Sequence, residues 1–210
     1  MEYSWHILLK RLYEDLSDRL ERQYYGFWLI SQIPCAFGNM LRARYCSRRF
    51  KKVGREITVL AGTRFRSMEN LVVGDKVTIG NDNFIQARGG VKIGNNVLLG
   101  PGVKIWSTNH NYKFMNIPIC EQGLENSPVI IGNDIWLSSN VFILPGTIIP
   151  DGVVVAAGAV VTNKKYVPYS ILAGNPAQMV GMRNKVADAS MKLGCTVLDE
   201  NLAEHSGVFM

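Results

Sequence analysis

The chain of 210 residues lacks long apolar runs and has few cysteines. No apolar run approaches the roughly 20 residues of a membrane-spanning helix. Glu14, Asp15 and Asp18 interrupt the beginning of the chain, where a secretory signal would be apolar. The four cysteines lie far apart, without the spacing of a disulfide framework or a metal site: Cys35, Cys46, Cys120 and Cys195. We therefore expect a cytoplasmic protein in a reducing compartment.

Acidic residues are also missing from residues 42–55, which carry seven lysines or arginines. The formal net charge of +6 lies entirely in residues 1–55, with eleven basic and five acidic residues, because residues 56–210 have twelve of each. Residues 24–41, directly before the basic stretch, are apolar and aromatic. An apolar segment beside unpaired cations suits an anionic lipid surface.

This pattern predicts peripheral membrane contact through residues 24–55, at the inner face of the membrane. The alternative is that the apolar residues pack on the rest of the protein and the cations are only solvated. No recognition motif accompanies the charge, so nucleic acid is not an expected partner.

The second half of the chain has a six-residue period from Pro128 to Val180. Turn-forming Gly, Asn, Asp, Ser and Pro separate the apolar positions. Such a repeat predicts short strands and turns stacked in a solenoid, since one unit cannot bury its apolar residue alone. The aliphatic positions that return every six residues are Ile131, Leu137, Ile143, Ile149, Val155, Val161 and Val167.

The same period runs upstream, with a slip of two residues after Val91. Ala61 and Ser67 are in phase but weakly apolar. The upstream positions are Val73, Ile79, Ile85 and Val91, followed by Ile93, Leu99 and Ile105. Residues 106–128 have no hexad, which predicts a loop leaving the coil. Long loops on rigid scaffolds tend to carry function.

The stretch "VIIGNDIWLSSNVFILPGTIIPDGVVVAAGAVVT", followed by "VPYSILAGNPAQMV", resembles the hexapeptide-repeat acyltransferases. It is most similar to the galactoside and maltose O-acetyltransferases and their polysaccharide-modifying relatives. The resemblance covers roughly residues 54–183. It implies a mainly β fold, a left-handed parallel β-helix, with acetyl-coenzyme A bound between the subunits of a homotrimer.

We divide the chain accordingly into three parts. Residues 1–54 are a helical, basic segment, in which leucines spaced by three and four predict a helix over residues 4–22 that caps the first coil. Residues 55–185 are the β-helix domain with the loop at 106–128. Residues 186–210 have no period and form a C-terminal tail.

The resemblance assigns the catalytic role to His110, in the loop sequence "STNHNY". Acetyl transfer to a hydroxyl requires a base, and histidine is suited to that near neutral pH. His6 and His205 lie outside the repeats. Glu121 and Glu125 in the same loop are candidates to orient the imidazole.

For the acceptor sugar, the resemblance points to Asn83, or to Asp82 if the alignment shifts by one residue. Glu125 is a further candidate for substrate binding. Asparagine is also a common turn residue, so a purely structural role for Asn83 stays open.

The matched positions imply contacts with acetyl-coenzyme A from Ser139, Ala157 and Thr162, with Trp136 beside the same groove. A basic side chain is wanted near the cofactor's phosphates. The chain departs from the family there, with Asn163 and Gln178 at positions that are commonly basic. The nearest substitutes are Lys164, Lys165 and Arg183. We expect no metal.

These features predict an O-acetyltransferase acting on a sugar of a cell-surface polysaccharide or a lipid-linked glycan. An N-acetyltransferase acting on a nucleotide-linked amino sugar is the main alternative. A coil-shaped carbonic anhydrase would need three clustered histidine ligands, and the repeats contain one histidine. A non-catalytic scaffold would not bind coenzyme A.

Overall fold

The computed structural model of the protein describes residues 4–183, so the predicted tail over residues 186–210 lies outside the described residues. A helical region precedes a long coil of strands. The helices are α1 (Trp5–Ser17), α2 (Arg19–Ser31) and α3 (Cys35–Ser47). Over residues 4–183, none of these helices combines the length and the apolar character needed to cross a bilayer.

The strands, numbered β1 to β19 in chain order, form a three-sided solenoid of about six turns. Face A consists of β1 (Lys52–Val53), β4 (Leu71–Val73), β7 (Val91–Ile93), β12 (Val129–Ile131) and β15 (Ile148–Ile149). Face B consists of β2 (Thr58–Val59), β5 (Val77–Ile79), β8 (Val97–Leu99), β13 (Ile135–Leu137), β16 (Val154–Val155), β18 (Ser170–Ala173) and β19 (Gln178–Met182). Face C consists of β3 (Arg64–Arg66), β6 (Phe84–Gln86), β9 (Lys104–Trp106), β14 (Phe142–Ile143) and β17 (Val160–Val161).

The loop after β9 contains an antiparallel hairpin of β10 (Thr108–His110) and β11 (Leu124–Asn126). Within residues 4–183, two short 3-10 turns lie at Met68–Asn70 and at Ile119–Glu121. The predicted mainly β solenoid, with N-terminal helices and an extended loop, is confirmed.

Parallel pairing stacks equivalent residues of successive turns, and these stacks form the core. On face A, for example, Val73 pairs with Ile93, Ile93 with Ile131, and Ile131 with Ile149. All four are at least 99% buried. Similar stacks follow faces B and C, so each turn covers the apolar residues of its neighbour.

The structure corrects the predicted phase at both ends of the coil. Val167 is 52% exposed, because the chain leaves the coil between β17 and β18. At the other end, Val59 and Phe65 are buried in the first turn, whereas Ala61 and Ser67 are only half-buried. Face A repeats every 20 residues early in the coil, from Val53 to Val73 to Ile93, but every 18 later, from Ile131 to Ile149. The two extra residues in each early turn explain the slip in the period.

A row of Asp and Asn side chains stabilises the corner between faces A and B, which we call the AB corner. The Oδ1 atom of Asn95 accepts the N–H of Asp75 at 2.8 Å, and Oδ1 of Asn133 accepts the N–H of Asn95 at 2.9 Å. Asp151 continues the row by accepting the N–H of Asn133 at 2.7 Å. The backbone and side-chain N–H groups of Asn133 lower the pKa of the Asp151 carboxyl.

The prediction of one helix over residues 4–22 that caps the coil is wrong. Helix α1 ends at Ser17, because Asp18 adopts an extended conformation, and α2 begins at Arg19. None of the residues of α1 is buried, and the helix packs on α2. The first turn is instead covered by α3, which packs on β2, and by Phe27 of α2, whose ring contacts Phe65.

Arg42 of α3 is also not part of an exposed basic surface. Its side chain is fully buried, and its guanidinium donates to the carbonyl oxygens of Val59 (2.9 Å), Ile30 (3.0 Å) and Ile33 (2.7 Å). A further bond reaches Oδ1 of Asn39 at 2.7 Å. Since the last carbonyls of a helix lack intrahelical partners, Arg42 joins the end of α2 to the first turn of the coil.

We expect Arg42→Met to lower the free energy of unfolding by about 3 kcal/mol, because several buried carbonyl oxygens lose their donor. Arg44→Met, at an exposed position of the same helix, should change it by less than about 0.5 kcal/mol. Urea unfolding followed by circular dichroism measures both. Equal midpoints for the two variants would contradict this role of Arg42.

Candidate active site

A cleft of about 530 Å³ opens between α2, the outer side of face C and the hairpin. The imidazole of His110 lies at this cleft, whose lining also includes aromatic, amide, hydroxyl and basic side chains, one leucine and the carboxylate of Glu21. The aromatic, amide and basic residues of the lining include Tyr24, Arg66, Phe84, Gln86, Arg88 and Trp106. The cleft is thus a concave site that combines an apolar wall with a titratable group.

The hairpin fixes where His110 lies. Thr108 and Asn126 pair at its base, and the Thr108 hydroxyl donates to Oδ1 of Asn126 at 2.7 Å. The N–H of Ser127 donates to the Ser107 carbonyl at 2.9 Å, next to the coil. Because both strands are anchored at the point where they leave face C, His110 is held two residues from a rigid base.

The tip of the loop is closed by a glutamine. Nε2 of Gln122 donates to the carbonyl oxygens of Phe114 and Ile117, both at 2.7 Å, and its Oε1 accepts the Phe114 N–H at 3.1 Å. Asn111, next to His110, donates to the Gln122 carbonyl at 3.1 Å. The irregular segment therefore has its own hydrogen-bond framework.

An aromatic row forms the wall of the cleft on face C. The rings of Phe84 and Trp106 lie 6.2 Å apart, and those of Trp106 and Phe142 lie 5.6 Å apart, all in edge-to-face arrangement. These residues come from three successive turns and point outward from the same face. Phe84 and Trp106 of this row line the cleft beside His110.

The two glutamates proposed to orient His110 form no hydrogen bond with its imidazole. Across the hairpin His110 is paired with Leu124 and Asn109 with Glu125, so alternation places the Glu125 carboxylate on the opposite side of the hairpin. Glu125 pairs with Lys113 at 3.2 Å, although it borders a small recess of about 130 Å³ together with His110. Glu121 is exposed in a 3-10 turn. Within residues 4–183, no hydrogen bond involves the His110 side chain.

Asn83 is not available to an acceptor, which corrects the sequence-based expectation. Its side chain is fully buried, and its Oδ1 accepts the N–H of Val103 at 2.7 Å, so it stabilises the coil interior. Asp82 is exposed at a turn with a φ of 55° and does not line the cleft. Gln86 lines the cleft instead. The period itself could have indicated it, because Gln86 follows the inward residue Ile85 and must point outward.

Two of the expected coenzyme A contacts share the corner between faces B and C, the BC corner. Ser139 and Ala157 occupy equivalent positions in successive turns, where the N–H of Gly158 donates to the Ser139 carbonyl at 2.9 Å. Within the described chain, the N–H groups of Ser139 and Ala157 have no acceptor. Trp136, on the adjacent strand β13, is 50% exposed. Two free donors one turn apart beside an exposed indole fit the amides of a pantetheine chain.

The other expected contacts lie at different corners. Thr162 follows β17 at the corner between faces C and A, where its backbone bonds to the Tyr166 hydroxyl, and Lys164 and Lys165 after it are exposed. Nη1 of Arg183 donates to Oδ2 of Asp134 at 2.8 Å and to the Gly152 carbonyl at 2.9 Å, at the AB corner. Arg183 is therefore occupied, which argues against the phosphate contact expected of it.

His110 and Ser139 are also separated within one chain. The loop of His110 leaves the coil at the corner between faces C and A, whereas Ser139 lies at the BC corner, so the width of face C lies between them. Over residues 4–183, no three His, Cys, Asp or Glu side chains are grouped to hold a metal ion.

The chain is similar to proteins named as acetyltransferases. WbbJ of Escherichia coli K12, named as a lipopolysaccharide-biosynthesis O-acetyltransferase, is 31% identical over 79% of this chain and 84% of its own length. Rv3034c of Mycobacterium tuberculosis, named as an acetyltransferase, is 36% identical over 66% of this chain. That match spans only 46% of the mycobacterial protein, about half of its length. No protein-family model matches the chain.

Among solved structures, a galactoside acetyltransferase in complex with coenzyme A superposes with a TM-score of 0.69. The two chains are 26% identical, and the superposition covers 88% of this chain and 86% of the other.

Proposed function

The chain belongs to the hexapeptide-repeat acetyltransferases, and on that premise we propose that it transfers acetyl from acetyl-coenzyme A to a sugar hydroxyl. The acceptor is a sugar of a cell-surface polysaccharide or a lipid-linked glycan. Identity to WbbJ along most of both chains supports this substrate class. The observation that carries the proposal is the place of His110, an imidazole held by an anchored hairpin at an open cleft with an aromatic wall.

In this mechanism His110 takes the proton of the acceptor hydroxyl as its oxygen attacks the thioester carbonyl. The new carbon–oxygen bond forms, the carbon–sulfur bond breaks, and the imidazolium returns the proton to the departing thiolate. No covalent enzyme intermediate is required. Acetyl-coenzyme A supplies the activated acyl group when it is bound.

The backbone N–H of Ser139 stabilises the developing oxyanion. Since one chain holds His110 and Ser139 at different corners, we assign the two groups of each active site to neighbouring subunits of a homotrimer. The Ala157 N–H group and Trp136 then bind the cofactor chain. Lys164 and Lys165 lie at the same corner as the loop of His110, so the subunit that supplies His110 also supplies these lysines near the cofactor's phosphates.

We expect His110→Ala to lower kcat by about 100- to 10,000-fold, because the hydroxyl loses its base, with little change in coenzyme A affinity. His6→Ala, at an exposed position of α1, is the matched control and should keep full activity. Thiol release on a soluble acceptor measures both. Removal of the product acetyl by mild base identifies an ester, and a base-stable product would indicate the N-acetyltransferase alternative.

The proposed sharing of each active site between two subunits can be tested with the substitution Ser139→Pro. Pro101 occupies the equivalent position one turn earlier, since Leu99 pairs with Leu137, so this corner already accepts proline. The substitution therefore deletes the N–H and should lower kcat by about 100- to 1,000-fold.

Mixing equal amounts of His110→Ala and Ser139→Pro subunits should restore about a quarter of wild-type activity, because one site in four then combines two intact groups. Light scattering should give three times the chain mass of 23.4 kDa. An active monomer, or a mixture as inactive as its parents, would contradict the shared site.

We also propose that the helical region contacts an anionic membrane. Exposed apolar side chains, including Trp28 (70% exposed) and Leu29 (69%), lie in the same region as the exposed cations Lys51 and Lys52. Phe27 and Arg42, in contrast, are buried and cannot contribute. The opposite charge of the lipid surface complements the helical region.

Replacing Lys51 and Lys52 with Gln should weaken binding to anionic vesicles roughly 30-fold, at about 1 kcal/mol per cation. Trp28→Ser should weaken it further, whereas Met115→Ser, an exposed apolar residue of the loop, should not. Cosedimentation at low and high salt measures the effect. Negligible binding at low salt, or equal binding by all variants, would show that the cations are only solvated.

A further inference from the structure

A second cavity, of about 560 Å³, lies on the other side of α2 from the His110 cleft. It is formed by α2, the residues that follow α3, and the 3-10 turn after β3. Four guanidinium groups and one carboxylate line it, a formal net charge of +3. The lining residues are Arg19, Arg22, Gln23, Arg48, Arg49 and Glu69.

The charge of this cavity is not neutralised by the protein. Within residues 4–183, Arg19, Arg22 and Arg48 form no ion pair and no side-chain hydrogen bond. Arg49 is held in place, with its guanidinium 3.4 Å from the centre of the Tyr45 ring and Nη1 donating to the Tyr45 carbonyl at 3.1 Å. The cavity therefore combines one fixed guanidinium with three that are free to bind.

Gln23 gives independent support for a ligand. Its side chain is 91% buried, with 9% of its surface exposed, yet Nε2 has no hydrogen-bond partner in the described part of the chain. Its main-chain carbonyl accepts the Tyr45 hydroxyl at 2.6 Å, so the backbone at this point is fixed. A buried donor without an acceptor is costly. A bound oxyanion would supply the missing acceptor.

The lining favours an oxyanion, and phosphate is one that matches its geometry. Guanidinium groups bind phosphate oxygens with two parallel hydrogen bonds and are the preferred partners for that geometry. The volume lies within the range of small-molecule sites and exceeds that of a single phosphate. A diphosphate fits both the charge and the size.

The cavity adjoins the cleft through shared elements. Helix α2 contributes Arg22 and Gln23 to the cavity and Tyr24 to the cleft, and the segment after β3 contributes Glu69 to the one and Ser67 to the other. The wall between them is held by a bond from the Ser67 N–H to the Tyr24 hydroxyl at 2.8 Å. The Tyr24–Ser67 contact is therefore the boundary between the cavity and the cleft that contains His110.

We propose that this cavity binds the diphosphate of the acceptor, so that the acceptor is a glycosyl diphosphate whose sugar reaches His110. The inference rests on the proposed function for the identity of the sugar as acceptor. The diphosphate can belong to a lipid-linked glycan or to a nucleotide-linked sugar. Both present the same anionic group to the arginines.

Direct binding of inorganic pyrophosphate, measured by calorimetry, tests the cavity without any assay of activity. The double variant Arg22→Gln/Arg48→Gln should bind pyrophosphate about 10- to 100-fold more weakly than the wild type, because two charge-assisted contacts are lost. Arg44→Gln, an exposed arginine of α3 outside the cavity, should bind it as the wild type does. Unchanged affinity in the double variant would overturn the proposal.

Gln23→Leu separates binding from folding. Removing a buried donor that lacks a partner should leave the thermal midpoint without anion unchanged or higher, while pyrophosphate binding weakens several-fold. A lower midpoint together with unchanged pyrophosphate binding would show that Gln23 is only part of the packing, and would count against the site.

Kinetics with matched acceptors then identify the source of the diphosphate. A sugar diphosphate with a short prenyl chain, a nucleoside-diphosphate sugar and the methyl glycoside of the same sugar are compared. In the double variant, KM should rise about 10- to 100-fold for whichever diphosphate the enzyme uses, with kcat and the methyl glycoside unaffected. Equal losses on the methyl glycoside would overturn the proposal.

The binding and kinetic experiments together distinguish failure of the diphosphate site from failure of the proposed acetyltransferase function. If no sugar is acetylated but pyrophosphate binding depends on Arg22 and Arg48, the proposed function fails and the anion site stands. If His110-dependent acetylation of sugars is found and pyrophosphate binding does not depend on Arg22 or Arg48, the proposed function stands and the diphosphate site is wrong.

Discussion

The stacking of each inward aliphatic side chain on its equivalent in the next turn is the constraint on which the rest of the structure depends. Once Val73, Ile93, Ile131 and Ile149 are in register, every outward residue is also stacked on its equivalents. The placing of the Ser139 and Ala157 N–H groups one above the other at the BC corner is a consequence of that register. The aromatic row of face C instead joins two columns, because Phe84 and Phe142 pair with Lys104, whereas Trp106 pairs with Gln86. Outward groups are thus arranged in columns along the coil. The imidazole of His110 does not belong to a column, because it lies in the long loop that leaves the coil after β9.

Sequence periodicity predicted the solenoid, because burying one residue in six makes aliphatic residues recur at that interval along the sequence. The interruption of the period likewise pointed to the loop of His110. Periodicity does not report which corner a turn residue occupies, so it could not show that His110 and Ser139 are separated within one chain. The family resemblance, in turn, pointed to Asn83 as a sugar ligand, whereas its side chain is buried and its Oδ1 accepts the N–H of Val103.

The basic N-terminal quarter, which in sequence is a single block of charge, divides into groups with different physical roles. Arg42 is buried and binds carbonyl oxygens, whereas Arg22 and Arg48 face a cavity, and Lys51 and Lys52 are exposed to solvent. Net charge alone could not separate them, because the division depends on how α2 and α3 fold over the first turn. The same geometry places the cavity next to the cleft through Tyr24.

The way in which the solenoid ends has a consequence for its behaviour as an assembly unit. A stack of strands presents unpaired backbone groups at both ends, and such edges can template growth by further chains. Here α3 packs on β2 at one end, while β19 turns back antiparallel onto β18 at the other. Both closures interrupt parallel stacking along face B. A further parallel turn therefore cannot be added to face B at either end without displacing α3 or β19.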